Sequence, residues 1–237
     1  MFYGSSNSAD LIYLILLIPV MILSAWAQAQ VSGNFRKYSR IRSSRGMTGR
    51  EAAEAVLRTH HVSGVGIRPC AGSLTDHYNP TDNCIYLSEP VYNVATVAAV
   101  GVACHEAGHA VQYAENYAPV RLRNIIIPAT QFGSKASFLF LFLGIVLYFQ
   151  PFLLFGIILF SFTTFFQLVT LPVEFDASNR AIRTIERSGL LSENETEGAK
   201  KVLKSAALTY VAALLMSAVQ LLRYVLIFMS RDRRGRR

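Results

Sequence analysis

The stretch VYNVATVAAVGVACHEAGHAVQYAE, residues 91–115, organises the chain. It contains the pattern H-E-x-x-H as His105-Glu106-Ala107-Gly108-His109. The residues before this pattern are small and apolar, so residues 91–104 are predicted to form part of one buried helix, with Ser88 as its N-cap. Residues four apart on a helix lie on one face, one turn above the other. His105 and His109 can therefore reach one metal ion together.

Glu106 follows the first histidine and leans toward the same pocket, where it can act on a metal-bound water. Two histidines and such a carboxylate are the zinc-protease arrangement. The metal lowers the pKa of its water and polarises a carbonyl, and the carboxylate takes up and returns the proton. Two ordinary histidines on a helix are the alternative. The apolar surroundings disfavour it, because unpaired polar side chains are costly there.

Composition is typical of a membrane protein. Of the 237 residues, 52% are hydrophobic and only 16% are charged. The net charge of +8 includes two basic clusters beside apolar segments, within residues 36–50 and 231–237. We interpret both as membrane-surface signals, and no nucleic-acid partner is expected because no recognition motif accompanies the charge. The three cysteines form no C-x-x-C pair and are expected to be reduced thiols.

Two apolar segments predict membrane crossings. Residues 11–29 are long enough to span a bilayer, and the basic residues after them place residues 36 onward in the cytoplasm by the positive-inside rule. Residues 138–171 are too long for one crossing. Because Gln150-Pro151 lies near their middle, they are predicted to form a hairpin of two short spans.

The last apolar stretch, residues 206–229, conflicts with that rule. If it spans the bilayer, the basic tail lies outside. An in-plane or re-entrant segment around Gln220 and Arg223 is one alternative. A full span in which Arg223 extends toward the interface is the other.

A small α+β region lies between the first span and the hairpin. Thr48-Gly49-Arg50-Glu51 is a capping box that starts a helix. Residues 65–68 resemble a short strand, weakened by Gly66. Residues 73–78 and 84–87 carry strand formers around a turn-rich sequence, which predicts a β-hairpin leading into the H-E-x-x-H helix.

This hairpin supplies candidates for substrate binding. In zinc proteases an edge strand beside the catalytic helix holds the substrate backbone by strand addition, and Ile85-Tyr86-Leu87 is predicted to be that strand. His77 and Tyr78 are candidates to donate a hydrogen bond to the developing oxyanion. The alternative is that they are polar residues beside a turn.

A catalytic zinc site needs a third protein ligand. The metzincin spacing would place glycine at 112 and histidine at 115, whereas this chain has Gln112 and Glu115, so the helix continues and Glu115 turns away. Glu174 is the better candidate. It lies at the exit of the apolar hairpin, and two crossings return the chain to the side of His109. A helix-start or interface charge is the alternative for Glu174.

These elements resemble a family of membrane peptidases. H-E-A-G-H, an apolar hairpin and Glu174-Phe175-Asp176-Ala177-Ser178 look like the HtpX and CAAX-prenyl-protease class of gluzincins, whose third zinc ligand is a similarly placed Glu. Over nearly its full length the chain is similar to the YugP-type family of membrane-bound neutral zinc metallopeptidases. The matching stretches are residues 38–40, 44–49, 72–78, 101–112 and 172–181.

The resemblance implies one zinc ion per chain with His105, His109 and Glu174 as ligands, and Glu106 as the catalytic acid–base. The chain departs from the broader gluzincin pattern at one position. That pattern has an Asp four residues after the ligand Glu, where it orients a zinc histidine, and this chain has a serine.

The residue that orients the zinc histidines is therefore open. Asp176, Ser178 and Asn179 are all candidates for this outer contact.

We therefore expect an α-helical polytopic membrane protein with a small α+β, zincin-like peptidase unit. It would lie in the bacterial inner membrane, with its site on the cytoplasmic side, and cleave peptide or membrane-protein substrates with a zinc-activated water. A non-catalytic zinc-containing membrane scaffold or quality-control partner is the alternative. The sequence indicates no oligomeric state.

The expected segments are an N-terminal transmembrane helix (1–30), the peptidase unit (31–135), a transmembrane hairpin (136–172), a helix with the third ligand (173–205) and a C-terminal membrane helix with the basic tail (206–237).

Overall fold

The computed structural model describes the backbone of residues 4–235 and the side chains of residues 11–231. The helices are α1 Gly4–Tyr38, α2 Gly49–Thr59, α3 Glu89–Tyr92, α4 Val97–Ala114, α5 Ala118–Val146, α6 Gln150–Arg187 and α7 Glu193–Gly235, and the strands are β1 Gly66–Cys70, β2 His77–Asn79 and β3 Cys84–Ser88. This mostly helical architecture with a small sheet agrees with the predicted helical membrane protein. The end of the predicted basic tail, residues 236–237, lies outside the described residues.

The chain divides into two compact units. Among the described residues, the first, here called the membrane unit, comprises the chain up to Trp26, Leu122–Thr170 and the chain from Tyr210. The second, here called the site unit, comprises Ala27–Arg121 and Leu171–Thr209. All four long helices contribute residues to both units.

Four helices in the described part of the chain are long and apolar enough to cross a membrane. They are Leu11–Tyr38, Ala118–Val146, Gln150–Arg187 and Glu193–Arg231. Many of their large apolar side chains are exposed, for example Ile22 (65%) and Phe138 (74%). Apolar surfaces of this extent are suited to lipid rather than to water. The last apolar stretch belongs to α7, a single helix long enough to cross.

Within the membrane unit, α5 and α6 approach each other closely at two glycines. A Cβ on Gly156 would lie 2.8 Å from the backbone nitrogen of Leu141, and one on Gly144 would overlap the backbone of Leu153. Small residues permit such close packing of membrane helices. The pair forms a helical hairpin at the predicted turn, because α5 ends at Val146 and α6 begins at Gln150. Its arms are longer than the predicted short spans, since α5 begins at Ala118 and α6 continues to Arg187.

A side chain from α7 caps the end of α5. Arg231 donates hydrogen bonds to the carbonyl oxygens of Gly144 (3.0 Å) and Ile145 (3.2 Å), and its guanidinium lies 4.6 Å from the centre of the Tyr148 ring. A cation at a helix C-terminus satisfies carbonyl groups that have no donor within the helix. Arg231 thereby fixes the turn between the two arms of the hairpin.

The sheet of the site unit has the strand order β1-β3-β2, with β1 parallel and β2 antiparallel to β3. The predicted hairpin of β2 and β3 is confirmed, although its first strand is His77–Asn79 and not residues 73–78. The prediction that Ile85, Tyr86 and Leu87 form an edge strand is wrong. Ile85 and Tyr86 pair on both sides, and Leu87 pairs with Pro69 of β1. A central strand has its hydrogen-bonding groups occupied and cannot add a substrate strand.

The helix that carries the two histidines begins later than predicted. Glu89–Tyr92 is a separate short helix, and α4 begins at Val97, where the Thr96 hydroxyl accepts a hydrogen bond from the Ala99 amide (3.3 Å). An antiparallel bridge between Thr96 and Arg42 holds the intervening backbone in an extended conformation. This non-local contact interrupts the helix that the local sequence favours.

Two polar contacts organise the segments before these helices. Ser88 does not cap a helix with its side chain; its amide and hydroxyl donate hydrogen bonds to Asp76 at 2.7 and 2.9 Å. The predicted capping box is confirmed. The Thr48 hydroxyl accepts from the Glu51 amide (3.3 Å), and the Glu51 carboxylate accepts from the Thr48 amide (2.8 Å).

Candidate metal centre

α4 is packed in the core of the site unit, and this packing fixes the positions of His105 and His109. Val100 on this helix is fully buried in the core of the site unit. Gly108 faces α6 so closely that a Cβ would lie 2.7 Å from the carbonyl oxygen of Ala177. His105 and His109 lie one turn apart, with ring centres 4.7 Å apart and ring planes at 80°. The pair is held on a rigid, well-packed element.

α6 supplies a carboxylate to the same point. Glu174 is only 3% exposed, and its Oε2 lies 3.4 Å from Nε2 of His105 and 3.5 Å from Nε2 of His109. The three donor atoms lie within 4.8 Å of one another. Ligands placed about 2.0–2.1 Å from a tetrahedral zinc ion are separated by roughly 3.3 Å. The three residues predicted as ligands therefore lie together at spacings that could hold one metal ion.

Gln112 fixes the ring of His109. Its Oε1 lies 3.0 Å from Nδ1 of His109, while its Nε2 donates to the Val173 carbonyl (2.8 Å) and the Asp176 carboxylate (2.8 Å). Because both amide hydrogens are used, the hydrogen-bond network assigns the proton of the ring to Nδ1. In the neutral ring Nε2 therefore carries the lone pair, and it faces the Glu174 carboxylate.

Ser178 contacts the other histidine. Its Oγ lies 3.1 Å from Nδ1 of His105. A hydroxyl group can donate or accept, so this contact orients the ring without choosing its tautomer. Of the three candidates for an orienting residue, only Ser178 contacts a histidine directly. Asp176 is linked to His109 indirectly, through Gln112. Asn179 is exposed on α6.

Charged groups extend this network outward. Arg180 donates to Asp176 at 2.6 Å and to Glu115 at 2.5 Å, and its guanidinium lies 5.7 Å from the centre of the Tyr117 ring. Charge-assisted hydrogen bonds of this kind are stronger than neutral ones. They join the end of α4 to α6 beside the candidate ligands.

Gln112 and Arg180 were not predicted from the sequence. For Gln112 a signal exists, because a residue three positions after His109 lies on the same face of the helix. For Arg180 the sequence holds only the spacing of four residues from Asp176, which is a common pairing distance on any helix.

The pKa values of Glu106 and His109, two ionisable groups of the centre, are shifted. Glu106 is 8% exposed, and burial raises the pKa of its carboxyl group above the usual range, although His105 and His109 oppose this. Burial also lowers the pKa of His109, but hydrogen bonding to Glu174 and its charge outweigh burial, so the net direction is upward. In the protonated ring Nε2 donates to Glu174, and a metal ion bound to Nε2 would displace this proton.

The two predicted oxyanion donors lie on β2. The His77 ring stacks on Tyr86 with centres 5.0 Å apart, and its Nδ1 lies 2.9 Å from the carbonyl oxygen of Thr75. Tyr78 donates its hydroxyl hydrogen to Asn83 at 2.7 Å. The His77 contacts lie within the hairpin, whereas the Tyr78 ring also packs against Tyr113 of α4, with ring centres 5.2 Å apart. Their role in the reaction stays a prediction.

Two histidines and a buried carboxylate, in a chain whose described part has four candidate membrane spans, are typical of a membrane protein with a zinc-type centre. The family described as "Putative neutral zinc metallopeptidase" matches residues 13–229, and the chain belongs to this family. The predicted resemblance is therefore confirmed.

A similar protein is known from Bacillus subtilis (strain 168), where it is named "Putative membrane protease YugP". The two are 46% identical over 220 residues, which is 93% of this chain and 98% of the relative. No solved structure matches the chain. The family is thus described by a zinc metallopeptidase activity, and the relative by a protease activity at the membrane.

Proposed function

We propose that this protein hydrolyses peptide bonds in peptides or membrane proteins. One zinc ion per chain would be held by His105, His109 and Glu174, with Glu106 as the general base and acid. The convergence of the three donor atoms at 3.4 and 3.5 Å, beside a buried carboxylate, is the observation that carries this proposal. Membership of a metallopeptidase family favours proteolysis over a non-catalytic scaffold.

The residues of the centre have separate tasks. Bound zinc supplies polarisation of the substrate carbonyl and a lower pKa for water. Glu106 accepts the proton of the attacking water and returns it to the leaving nitrogen. Because burial raises its pKa, the Glu106 carboxylate is a stronger proton acceptor than an exposed one. Gln112 and Ser178 hold the two imidazoles in place.

His77 and Tyr78 both stay candidates for the oxyanion donor, and each already has a hydrogen-bond partner. Donation from Nδ1 of His77 to the Thr75 carbonyl leaves Nε2 of the neutral ring as an acceptor. The Tyr78 hydroxyl donates to Asn83 and would have to leave this partner before it could donate to an oxyanion.

We also propose that the site faces the cytoplasm. The basic residues that follow the first apolar stretch favour this side. On this view the site unit, Ala27–Arg121 with Leu171–Thr209, is the peptidase unit, and the membrane unit lies in the bilayer. Labelling of Thr81→Cys, in a Cys70→Ser background, with a membrane-impermeant maleimide should require permeabilised cells. Labelling of intact cells would reverse the orientation.

Replacement of Glu106 tests the reaction. Glu106→Gln is expected to keep zinc and to lose casein or peptide cleavage by at least about 100-fold, the effect of removing a general base. Glu89→Gln, an exposed substitution on α3, is the matched control and should cleave normally. Equal cleavage by Glu106→Gln and the unaltered protein would show that this carboxylate is not the base.

A further inference from the structure

A cleft of about 410 Å³ opens in the site unit beside the last turn of α1. One wall carries Arg36, Ser39 and Arg40, and the facing wall carries Ser73 and Leu74 from the loop between β1 and β2. None of these residues belongs to the candidate metal centre. The cleft is therefore a separate feature that the proposed function does not use.

The cleft presents positive charge without a protein counter-charge. Arg36 and Arg40 are both exposed, and in the part of the chain that the structure describes neither forms an ion pair with a carboxylate. Two neighbouring cations at a concave surface attract anions. The planar fork of a guanidinium matches phosphate oxygens especially well.

Two further observations point to a ligand. The Ser39 hydroxyl at this wall is buried and has no hydrogen-bond partner among the described residues, a state that a ligand oxygen would relieve. Leu74 is 45% exposed with φ +59°, a left-handed conformation that is costly for a bulky residue. Such strain gathers at ligand-binding sites. In this loop the left-handed conformation places the Leu74 side chain at the rim of the basic cleft.

The position of the cleft along α1 suggests an amphipathic ligand. The apolar stretch of this helix ends at Ala29, and Arg36 follows roughly 10 Å further along the axis. Helical side chains lean toward the N-terminus, and arginine can extend to the lipid–water interface. The charged wall therefore lies within reach of lipid phosphate groups.

We propose that this cleft binds the headgroup of an anionic phospholipid. Arg36 and Arg40 contact the phosphate oxygens, the Ser39 hydroxyl donates a hydrogen bond to one of them, and Leu74 contacts the adjoining acyl chain. A free phosphate ion offers the same charge, but it gains nothing from the apolar rim. An acidic peptide segment could also pair with the two arginines, and its binding would not depend on lipid.

The test measures lipid retained by the purified full-length chain, using native mass spectrometry from detergent micelles doped with phosphatidylglycerol or phosphatidylcholine. The unaltered protein should retain phosphatidylglycerol selectively. Arg36→Gln with Arg40→Gln should weaken retention about 25-fold, since each arginine near an anionic lipid surface contributes roughly fivefold. The matched control, Lys37→Gln with Arg42→Gln, removes the same charge from residues that do not line the cleft and should retain the lipid.

Leu74→Gly separates binding from folding, because glycine relieves the positive φ. It should be at least as stable as the unaltered protein and bind the lipid more weakly. Equal losses in the two double variants, or no preference for phosphatidylglycerol, would overturn the proposal. So would displacement of the lipid by millimolar inorganic phosphate or by a soluble acidic peptide. The measurement needs no peptidase activity, so its outcome is independent of the proposed reaction.

Discussion

The carbonyl oxygen of Ala177 lies 2.7 Å from the point where Gly108 would carry a Cβ. The backbones of α4 and α6 are therefore in direct contact between the candidate ligands, with His109 next to Gly108 and Glu174 one turn before Ala177. Any side chain at position 108 must push these two helices apart. The spacing of the three donor atoms depends on this contact.

Gly108→Ala should destabilise the protein and weaken zinc binding together. Overpacking of this kind costs about 1–3 kcal/mol of unfolding free energy. Gly33→Ala is the matched control, because a Cβ there meets no atom within 4 Å, and alanine in a helix should be neutral or slightly stabilising. Thermal unfolding and zinc content should be measured for both. Unchanged values for Gly108→Ala would mean that the helices can separate without cost.

Gln112→Met should lower zinc affinity more than Ser178→Ala. Loss of a hydrogen bond between a non-ligating residue and a ligating histidine typically costs about 10–100-fold in metal affinity. Gln112→Met also removes the hydrogen bonds to the Val173 carbonyl and the Asp176 carboxylate, whereas Ser178→Ala removes a single contact. Chelator competition measures both, with the exposed substitution Asn179→Ala as control. The reverse order would indicate that the tautomer of His109 is set by another group.

Thr48→Ala should reduce the free energy of unfolding by about 1 kcal/mol, because the capping box loses its hydroxyl acceptor. Thr48→Ser keeps that oxygen and should preserve stability. A thermal melt of the two variants compares them directly. If both melt alike, the first turn of α2 is held by its packing against the core instead.

Stability should depend on the charge of Asp76. Burial raises the pKa of this carboxyl group, although hydrogen bonds from Ser88 oppose the shift. The folded state therefore holds its proton more tightly than the unfolded chain does. The resulting stabilisation is full below about pH 4, the ordinary aspartate range, and is lost as pH rises through the raised pKa.

Asp76→Asn removes this titration and keeps an oxygen that can accept from Ser88. The unaltered protein should thus lose stability relative to Asp76→Asn as pH rises above about 4. Thermal unfolding over a pH series measures the difference. A difference that grows in the opposite direction would mean that hydrogen bonding, not burial, dominates at Asp76.

The elements that the sequence predicted are those specified by local spacing. His105 and His109 share a helical face by their separation alone, and Glu51 follows Thr48 at the capping-box distance. The prediction of Glu174 also used the number of membrane crossings between it and His109. Because that number is even, both residues are expected to lie on the same side of the membrane. The side of the membrane and the roles of these residues stay predictions.

The elements that the sequence did not predict depend on distant contacts. β3 is central because β1 pairs with it in parallel, and a strand containing Gly66 and Pro69 gives a weak local signal. α4 begins at Val97 because residue 42 pairs with Thr96. The choice among Asp176, Ser178 and Asn179 was open because it depends on which face α6 turns toward α4.

α6 runs without interruption from Gln150 to Arg187, so its apolar span and Glu174 belong to one helix. A helix turns about 100° per residue. Rotation of this span by a single residue would swing the Glu174 carboxylate away from both imidazoles. A metal ion bound by all three groups would therefore fix the rotation of this apolar helix about its own axis.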